Sequence, residues 1–379
     1  EQRAAIDHVL GDRGFASVVG LAGAGKSTLL ATAAEAWRRQ GVTVHGAALA
    51  GKAADGLAEA AAINSRTLAS LEMAWANGYE PISKGDVLVV DEAGMIGTRQ
   101  LARIVDKVSE IGAKLVLVGD PEQLQPIEAG TPFRDLVELH GAVRLTEIHR
   151  QKEAWQRHAT SLLADGEVAA AVELHEQRGG VRRGRDAIEA LAETYALDTL
   201  SSETRSQLAL AHSRKDVHAL NQAIRTALGP EIASQGVLID TETGPRAFAP
   251  GDRIVFTRND PEIGVKNGML GTVKAASASG FSVRLDGGEQ RTTTFDPRRY
   301  RDIDHGYAVT ILKAQGVTVD RAYVLGTRSM ERHLAYVAMT RYRRDMKLFL
   351  EGDAGPAWSR SSQPSRRRTS ERRRAGPEP

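Results

Sequence analysis

The stretch Gly20-Leu-Ala-Gly-Ala-Gly25-Lys26-Ser27-Thr28 constrains the fold more than any other part of this chain. Its spacing matches the phosphate-binding loop pattern, which needs a strand before it and a helix after it. Both flanks are present: an apolar run over Phe15–Leu21 and helix-forming composition over Leu29–Gln40. The glycines let backbone N–H groups close around a β-phosphate, and the helix N-terminus favours its negative charge. Lys26 is then expected to reach the β- and γ-phosphates, and the Ser27 hydroxyl to ligate Mg²⁺.

The first 150 residues alternate apolar runs (Phe15–Leu21, Val42–Ala47, Val87–Val90, Leu115–Val118) with helical stretches such as Leu29–Gln40 and Arg99–Ile111. Short unbroken apolar runs read as strands covered on both faces, and the alternation reads as a parallel α/β sheet. Residues 151–200 read as helical, followed by a strand at Gln207–Ala211 and a helix around Val217–Leu228. Between about 249 and 291 the texture changes to short β-rich runs, Arg253–Thr257, Met269–Lys274 and Phe281–Leu285, with Asn267-Gly268 and Asp286-Gly287 as turn signals. Strand-like runs resume at Tyr307–Ile311, Arg321–Leu325 and Met346–Leu350. The expected fold class is therefore α/β, with two halves and a small β insert in the second.

Two carboxylates answer the phosphate loop. In Asp86-Val-Leu-Val-Val-Asp91-Glu92, four apolar residues deliver both acids to the C-terminal end of a buried strand, the edge where open α/β sheets bind ligands. Asp91 is expected to hold Mg²⁺ and Glu92 to act as general base on water. Gln123, after the run Lys114–Val118, offers a donor and acceptors in one charge state, which suits sensing of a γ-phosphate. Arg150 and Arg341 are candidates for offsetting charge during phosphoryl transfer, since a guanidinium is always charged and binds phosphate bidentately.

Composition narrows the rest. With 379 residues, 41% hydrophobic and 26% charged, the chain is that of a globular protein with more than one core. No apolar run approaches a membrane span, so no membrane insertion is expected. The absence of cysteine excludes disulfides and thiol chemistry and is compatible with a cytoplasmic setting. Glu1 rather than Met opens the chain, from which a longer parent protein is expected. The net charge of +2 hides an asymmetry: residues 359–379 hold seven arginines and two glutamates, leaving about −3 for the remainder. An arginine-rich tail over 353–379 is expected to be disordered.

Taken in order, Glu1-Gln2-Arg3, Gly20–Thr28, Ala48–Ala54, Asp91-Glu92, Gly119–Gln125, Arg150, Tyr307–Gly316 and Val337–Arg341 resemble the motif series of superfamily 1 helicases of the RecD-like branch. The flanks His45–Ala54 and Ile63–Leu68 make the chain most similar to the helicase part of TraA-type conjugative relaxases. That resemblance implies two RecA-like lobes, residues 1–150 and residues 151–248 with 292–352, and an SH3-like β-barrel over 249–291. It implies ATP with Mg²⁺ between the lobes and single-stranded DNA across them, with movement 5′→3′. Gln2 would read adenine, and Gly20, Gly23, Gly25, Lys26, Ser27, Thr28 and Gly316 would surround the nucleotide. Lys26, Asp91, Glu92, Gln123, Arg150 and Arg341 would be catalytic. Lys52, Thr67, Thr310, Lys313 and Gln315 would meet the DNA, and a nuclease domain would precede Glu1.

The chain departs from the branch at Leu312, where a histidine is usual, and at Ala50, where a threonine is usual. The seventeen residues Ala69–Gly85 leave little space for a strand-splitting pin, so translocation is the expectation rather than duplex unwinding. Two other readings stay open on sequence: a small-molecule kinase, and a nucleotide-gated scaffold for single-stranded DNA with little or no turnover.

Overall fold

The computed structural model describes residues 1–126, 129–201, 206–229, 236–287, 291–352 and 356–359. Nearly all of the arginine-rich tail lies outside them. The first sheet contains β1 (Phe15–Gly20), β2 (Val44–Ala48), β3 (Asn64–Thr67), β4 (Val87–Val90), β5 (Lys114–Gly119) and β6 (Val143–Leu145), all parallel, in the order β3-β2-β4-β5-β1-β6. Its central strands are apolar apart from Ser17 in β1 and Lys114 at the start of β5, because helices cover both faces. Val116 and Val118 enter one cluster with Leu29, Leu30 and Trp37, while Leu115 and Leu117 enter the opposite one with Leu101, Ile104 and Phe133.

The second sheet contains β7 (Val181–Gly184) and β8 (Gln207–Ala211), and later in the chain β16 (Ala308–Thr310), β17 (Val319–Gly326) and β18 (Tyr342–Glu351), again all parallel, in the order β16-β8-β17-β18-β7. Here one expectation needs correction. Residues 151–200 are not wholly helical: three helices (Ala154–Ala164, Val168–Glu176 and Ala187–Ser201) surround β7, which pairs with β18 from Leu348↔Val181 to Glu351↔Gly184. As an edge strand of sequence Val-Arg-Arg-Gly, it carries little of the apolar pattern that reveals a central strand.

Between β8 and β16 lie a hairpin, β9 (Val237–Thr241) with β10 (Gly244–Phe248), and a five-stranded antiparallel sheet. The latter is formed by β11 (Arg253–Phe256), β12 (Leu270–Ser277), β13 (Gly280–Leu285), β14 (Thr292–Phe295) and β15 (Ile303–His305), in the open order β14-β13-β12-β11-β15. It therefore runs past residue 291. Its core is its own: Phe248, Phe256, Phe281 and Phe295, four of the seven phenylalanines in the chain, pack with Tyr300, and Phe281 stacks on Phe295 at 5.4 Å.

Asp252, fully buried, fastens this sheet to the second lobe. It accepts from Arg225 Nε (3.0 and 3.2 Å), the Tyr307 hydroxyl (2.6 Å) and the Ala249 amide (2.7 Å). Residues 68–86 form the helix Leu68–Ala76 and a following loop, with no strand. No helix among the described residues is long and apolar enough to cross a membrane.

Candidate active site

Strand order separates two sets of residues at the carboxyl edge of the first sheet. The three central strands β1, β5 and β4 deliver the phosphate loop, Asp120–Gln123 and Asp91-Glu92. The outer strands β2 and β3 deliver Lys52 and Thr67. Gly23 and Gly25 lie at φ +83° and +82°, where only glycine sits without strain, and a Cβ on Gly23 would stand 2.5 Å from Arg150 Cβ. The helix Lys26–Arg39 starts immediately after Gly25, with Ser27 and Thr28 in its first turn. Lys26 Nζ donates to the carbonyls of Gly20 (2.6 Å) and Leu21 (3.2 Å). Gln2 Nε2 donates to Ala24 O (3.1 Å), so the first helix of the chain is tied to the loop rim.

Glu92 occupies the left-handed region at φ +55° without being glycine, a costly conformation of the kind that clusters at functional sites. Its amide donates to Asp91 Oδ1 (2.8 Å), which fixes the two carboxylates relative to each other. Desolvation, and secondarily the Glu92 charge, push the Asp91 carboxyl up to about 6 against the pull of Lys26.

The second lobe closes the cleft. Arg341 is 2% exposed; its Nε donates to Val337 O (2.9 Å) and its Nη2 to Thr340 Oγ1 (3.3 Å). Arg150 Nη1 donates to Thr340 O (2.7 Å). Desolvation, and secondarily the positive charge of Arg341, pull the Arg150 guanidinium down to about 9. Desolvation also lowers Arg341, although Glu92, Tyr336 and Asp120 act in the opposite sense. Two desolvated cations thus stand close together, a costly arrangement that a polyvalent anion would relieve.

The cross-lobe contacts include residues that motif reading did not single out. The hydroxyl of Tyr336, on the second-lobe helix Arg332–Met339, accepts from the Ala22 amide of the phosphate loop (2.9 Å) and donates to Asp120 Oδ2 (2.6 Å). Asp120 Oδ2 also accepts from Gln123 Nε2 (3.2 Å). His333 Nδ1 lies 2.8 Å from Glu122 O. The pairs of Tyr336 with Ala22 and Asp120, and of His333 with Glu122, are each more than 200 residues apart, so no local pattern could have paired them.

The remaining candidates fall in two places. Gln315, expected at the DNA, donates through Nε2 to Glu92 Oε2 (3.3 Å) and thus reaches the nucleotide carboxylate. Gly316 follows it at φ +73°. Thr310 ends β16, and its Oγ1 accepts from the Lys313 amide (3.4 Å). Burial lowers the Lys313 ammonium, and Arg214 lowers it further. Lys52 Nζ donates to Gly268 O of the β insert (3.3 Å), and burial lowers it too. Thr67 caps the helix Leu68–Ala76 by accepting from Ser70 N (3.1 Å). Leu312 is 47% exposed, and Ala50 stands at the N-cap of the helix Gly51–Ala61 without a side-chain cap bond, which a threonine there can make.

Comparison with known proteins agrees with this architecture. A family model described as an AAA domain matches residues 1–186. The chain is 46% identical over 354 residues to the conjugal transfer protein TraA of Rhizobium radiobacter, covering 92% of this chain and 32% of that protein. It is 30% identical over 376 residues to the ATP-dependent RecD2 DNA helicase of Deinococcus radiodurans, covering 94% of this chain and 49% of the helicase. The chain thus spans about one third of the length of its TraA relatives. Among solved structures, Pif1 helicase from Bacteroides in complex with ADP-AlF3 and ssDNA superposes with a TM-score of 0.61 at 20% identity, covering 92% of each chain, which shows a shared fold. With two parallel α/β lobes facing each other across the phosphate loop, and with these relatives, the chain belongs to the RecD-like branch of superfamily 1 helicases as a helicase region.

Proposed function

We propose that this chain is an ATP-hydrolysing motor that translocates along single-stranded DNA in the 5′→3′ direction, and that it forms the motor part of a longer conjugative relaxase with a nuclease domain before it. The observation that carries the reading is the pair Arg150 and Arg341, two desolvated guanidiniums held beside Glu92 where the second lobe meets the phosphate loop. A γ-phosphate at that point offsets both charges, which makes the closed cleft the nucleotide-bound form.

The residues present suit Mg·ATP. A Cβ at Gly20 would stand 2.7 Å from Lys26 Cγ and one at Gly23 2.5 Å from Arg150 Cβ, so glycine keeps the loop closed around both cations, and Lys26 can exchange its loop carbonyls for phosphate oxygens. Gln2, which donates to Ala24 O at the loop rim, is assigned to the base. Ser27 and Asp91 would hold Mg²⁺, which supplies charge neutralisation at the phosphates. In hydrolysis the oxygen of a water bonds to the γ-phosphorus while the bond to the β–γ bridging oxygen breaks. The water's proton passes to Glu92, and ADP and inorganic phosphate leave. Gln315, which holds Glu92 from the second lobe, ties the base to the segment 310–316 that also carries Thr310 and Lys313.

Lys52 and Thr67 on one lobe, and Thr310 and Lys313 on the other, are assigned to DNA phosphates, so the grip is sequence-independent. The antiparallel insert is assigned to the SH3-like barrel of the branch, and the cysteine-free composition suits a reducing cytoplasm. The test is ATP hydrolysis with and without single-stranded DNA, with Lys26→Ala as control. We expect strong DNA stimulation that the control abolishes; DNA-independent transfer to a metabolite, or DNA binding without turnover, contradicts the reading.

A further inference from the structure

Across the cleft runs a hydrogen-bond chain whose polarity can be assigned without ambiguity. The Ala22 amide can only donate, so the Tyr336 oxygen accepts from it and must direct its own proton to Asp120 Oδ2. Asp120 Oδ2 accepts from the Tyr336 hydroxyl, and Gln123 presents Nε2 to the same oxygen, at 3.2 Å. That choice turns Gln123 Oε1 the other way. Gln123 is 4% exposed, yet Oε1 has no hydrogen-bond partner, although buried acceptors are nearly always satisfied. Burial and the neighbouring Asp120 both raise the Tyr336 hydroxyl well above the usual tyrosine range, so it keeps its proton throughout the physiological range.

We propose that Tyr336 is a positioning residue for ATP hydrolysis: by bridging the phosphate loop and Asp120 it orients the Gln123 amide so that Oε1 accepts a hydrogen bond from the attacking water. The inference rests on the hydrolytic function proposed above. It also supplies a physical route for closure to reach the chemistry. Tyr336 belongs to the second lobe and Ala22, Asp120 and Gln123 to the first, so the chain exists only when the lobes meet. When they part, Asp120 loses a donor and the Gln123 amide is free to rotate, which leaves bound ATP without an oriented water.

The experiment measures DNA-stimulated ATP hydrolysis by Tyr336→Phe, Asp120→Asn and the double variant, alongside thermal melting and ADP binding by calorimetry. Phenylalanine keeps the ring packing and removes only the hydroxyl. We expect Tyr336→Phe to lower kcat on the order of 10- to 100-fold, the range for losing a hydrogen bond to a charged acceptor. KM for ATP should move less than about threefold, with ADP affinity and melting temperature near wild type. The double variant should be no slower than the worse single one, because both break one chain. Wild-type kcat in Tyr336→Phe, equal changes in kcat and KM with a lowered melting temperature, or independent losses that multiply in the double variant, would each overturn the proposal. A wild-type protein that does not hydrolyse ATP with DNA present contradicts the functional reading instead.

Discussion

Two buried ionic centres in this molecule follow opposite rules. At Asp252, one carboxylate receives a guanidinium, a phenol and a backbone amide, and every charge has its counterpart. In the cleft, Arg150 and Arg341 are desolvated side by side, Glu92 is held in a left-handed conformation, and burial raises Asp91. The first centre joins the β insert to the second lobe and is complete as it stands. The second is frustrated in the absence of an anion, and the frustration lies where the two lobes meet. Balanced burial marks a fastening; unbalanced burial marks a site that a ligand completes.

The largest expected effect breaks the comparison on the cleft side. Arg341→Ala should reduce DNA-stimulated hydrolysis on the order of 10³-fold or more, as for other arginines that act on transferred phosphoryl groups. It should leave the thermal midpoint unchanged or slightly higher, because one of two repelling cations is gone. Asp252→Ala should do the reverse. It takes the buried acceptor from the Tyr307 hydroxyl and the Ala249 amide, at a cost of about 1–3 kcal/mol, read as a lowered urea midpoint.

A third buried group sharpens the contrast through pH. His175, 1% exposed with both ring nitrogens unpartnered beside Trp155 and Tyr342, is pulled down to about 4 by burial. The unfolded chain therefore binds more protons between about 4 and 6.5, so stability should rise with pH across that window, by at most about 3 kcal/mol. Urea titrations at several pH values should show the rise, and His175→Phe should flatten it. Asp91 has the opposite sign: its raised folded value means that stability is lost as pH rises through about 6. Without Mg²⁺, Asp91→Asn should thus be more stable than wild type at neutral pH, while abolishing Mg²⁺-dependent turnover.

The contrast also separates what the sequence discloses from what it hides. The central strands were legible because burial on both faces demands unbroken apolar runs; the run Val87–Val90 is β4 residue for residue. The phosphate loop was legible because its chemistry requires consecutive residues. Polar edge strands such as β3 and β7 were not, since one open side relaxes the apolar demand. Nor were the partners that matter most in the cleft. Tyr336 with Ala22, and Gln315 with Glu92, are tertiary pairings across 314 and 223 residues, and no local spacing encodes them. Motif order located Arg341 in the sequence, but only the packed cleft shows it buried beside a second cation.

The central claim is that one phosphate is held from both lobes at once. Its most direct test is the affinity for ADP with aluminium fluoride, a mimic of the transferring phosphoryl group, relative to ADP alone. The gain should be large in the wild-type protein and lost in Arg341→Ala, with ADP affinity itself barely changed. An Arg341→Ala protein that keeps the full gain would contradict the account.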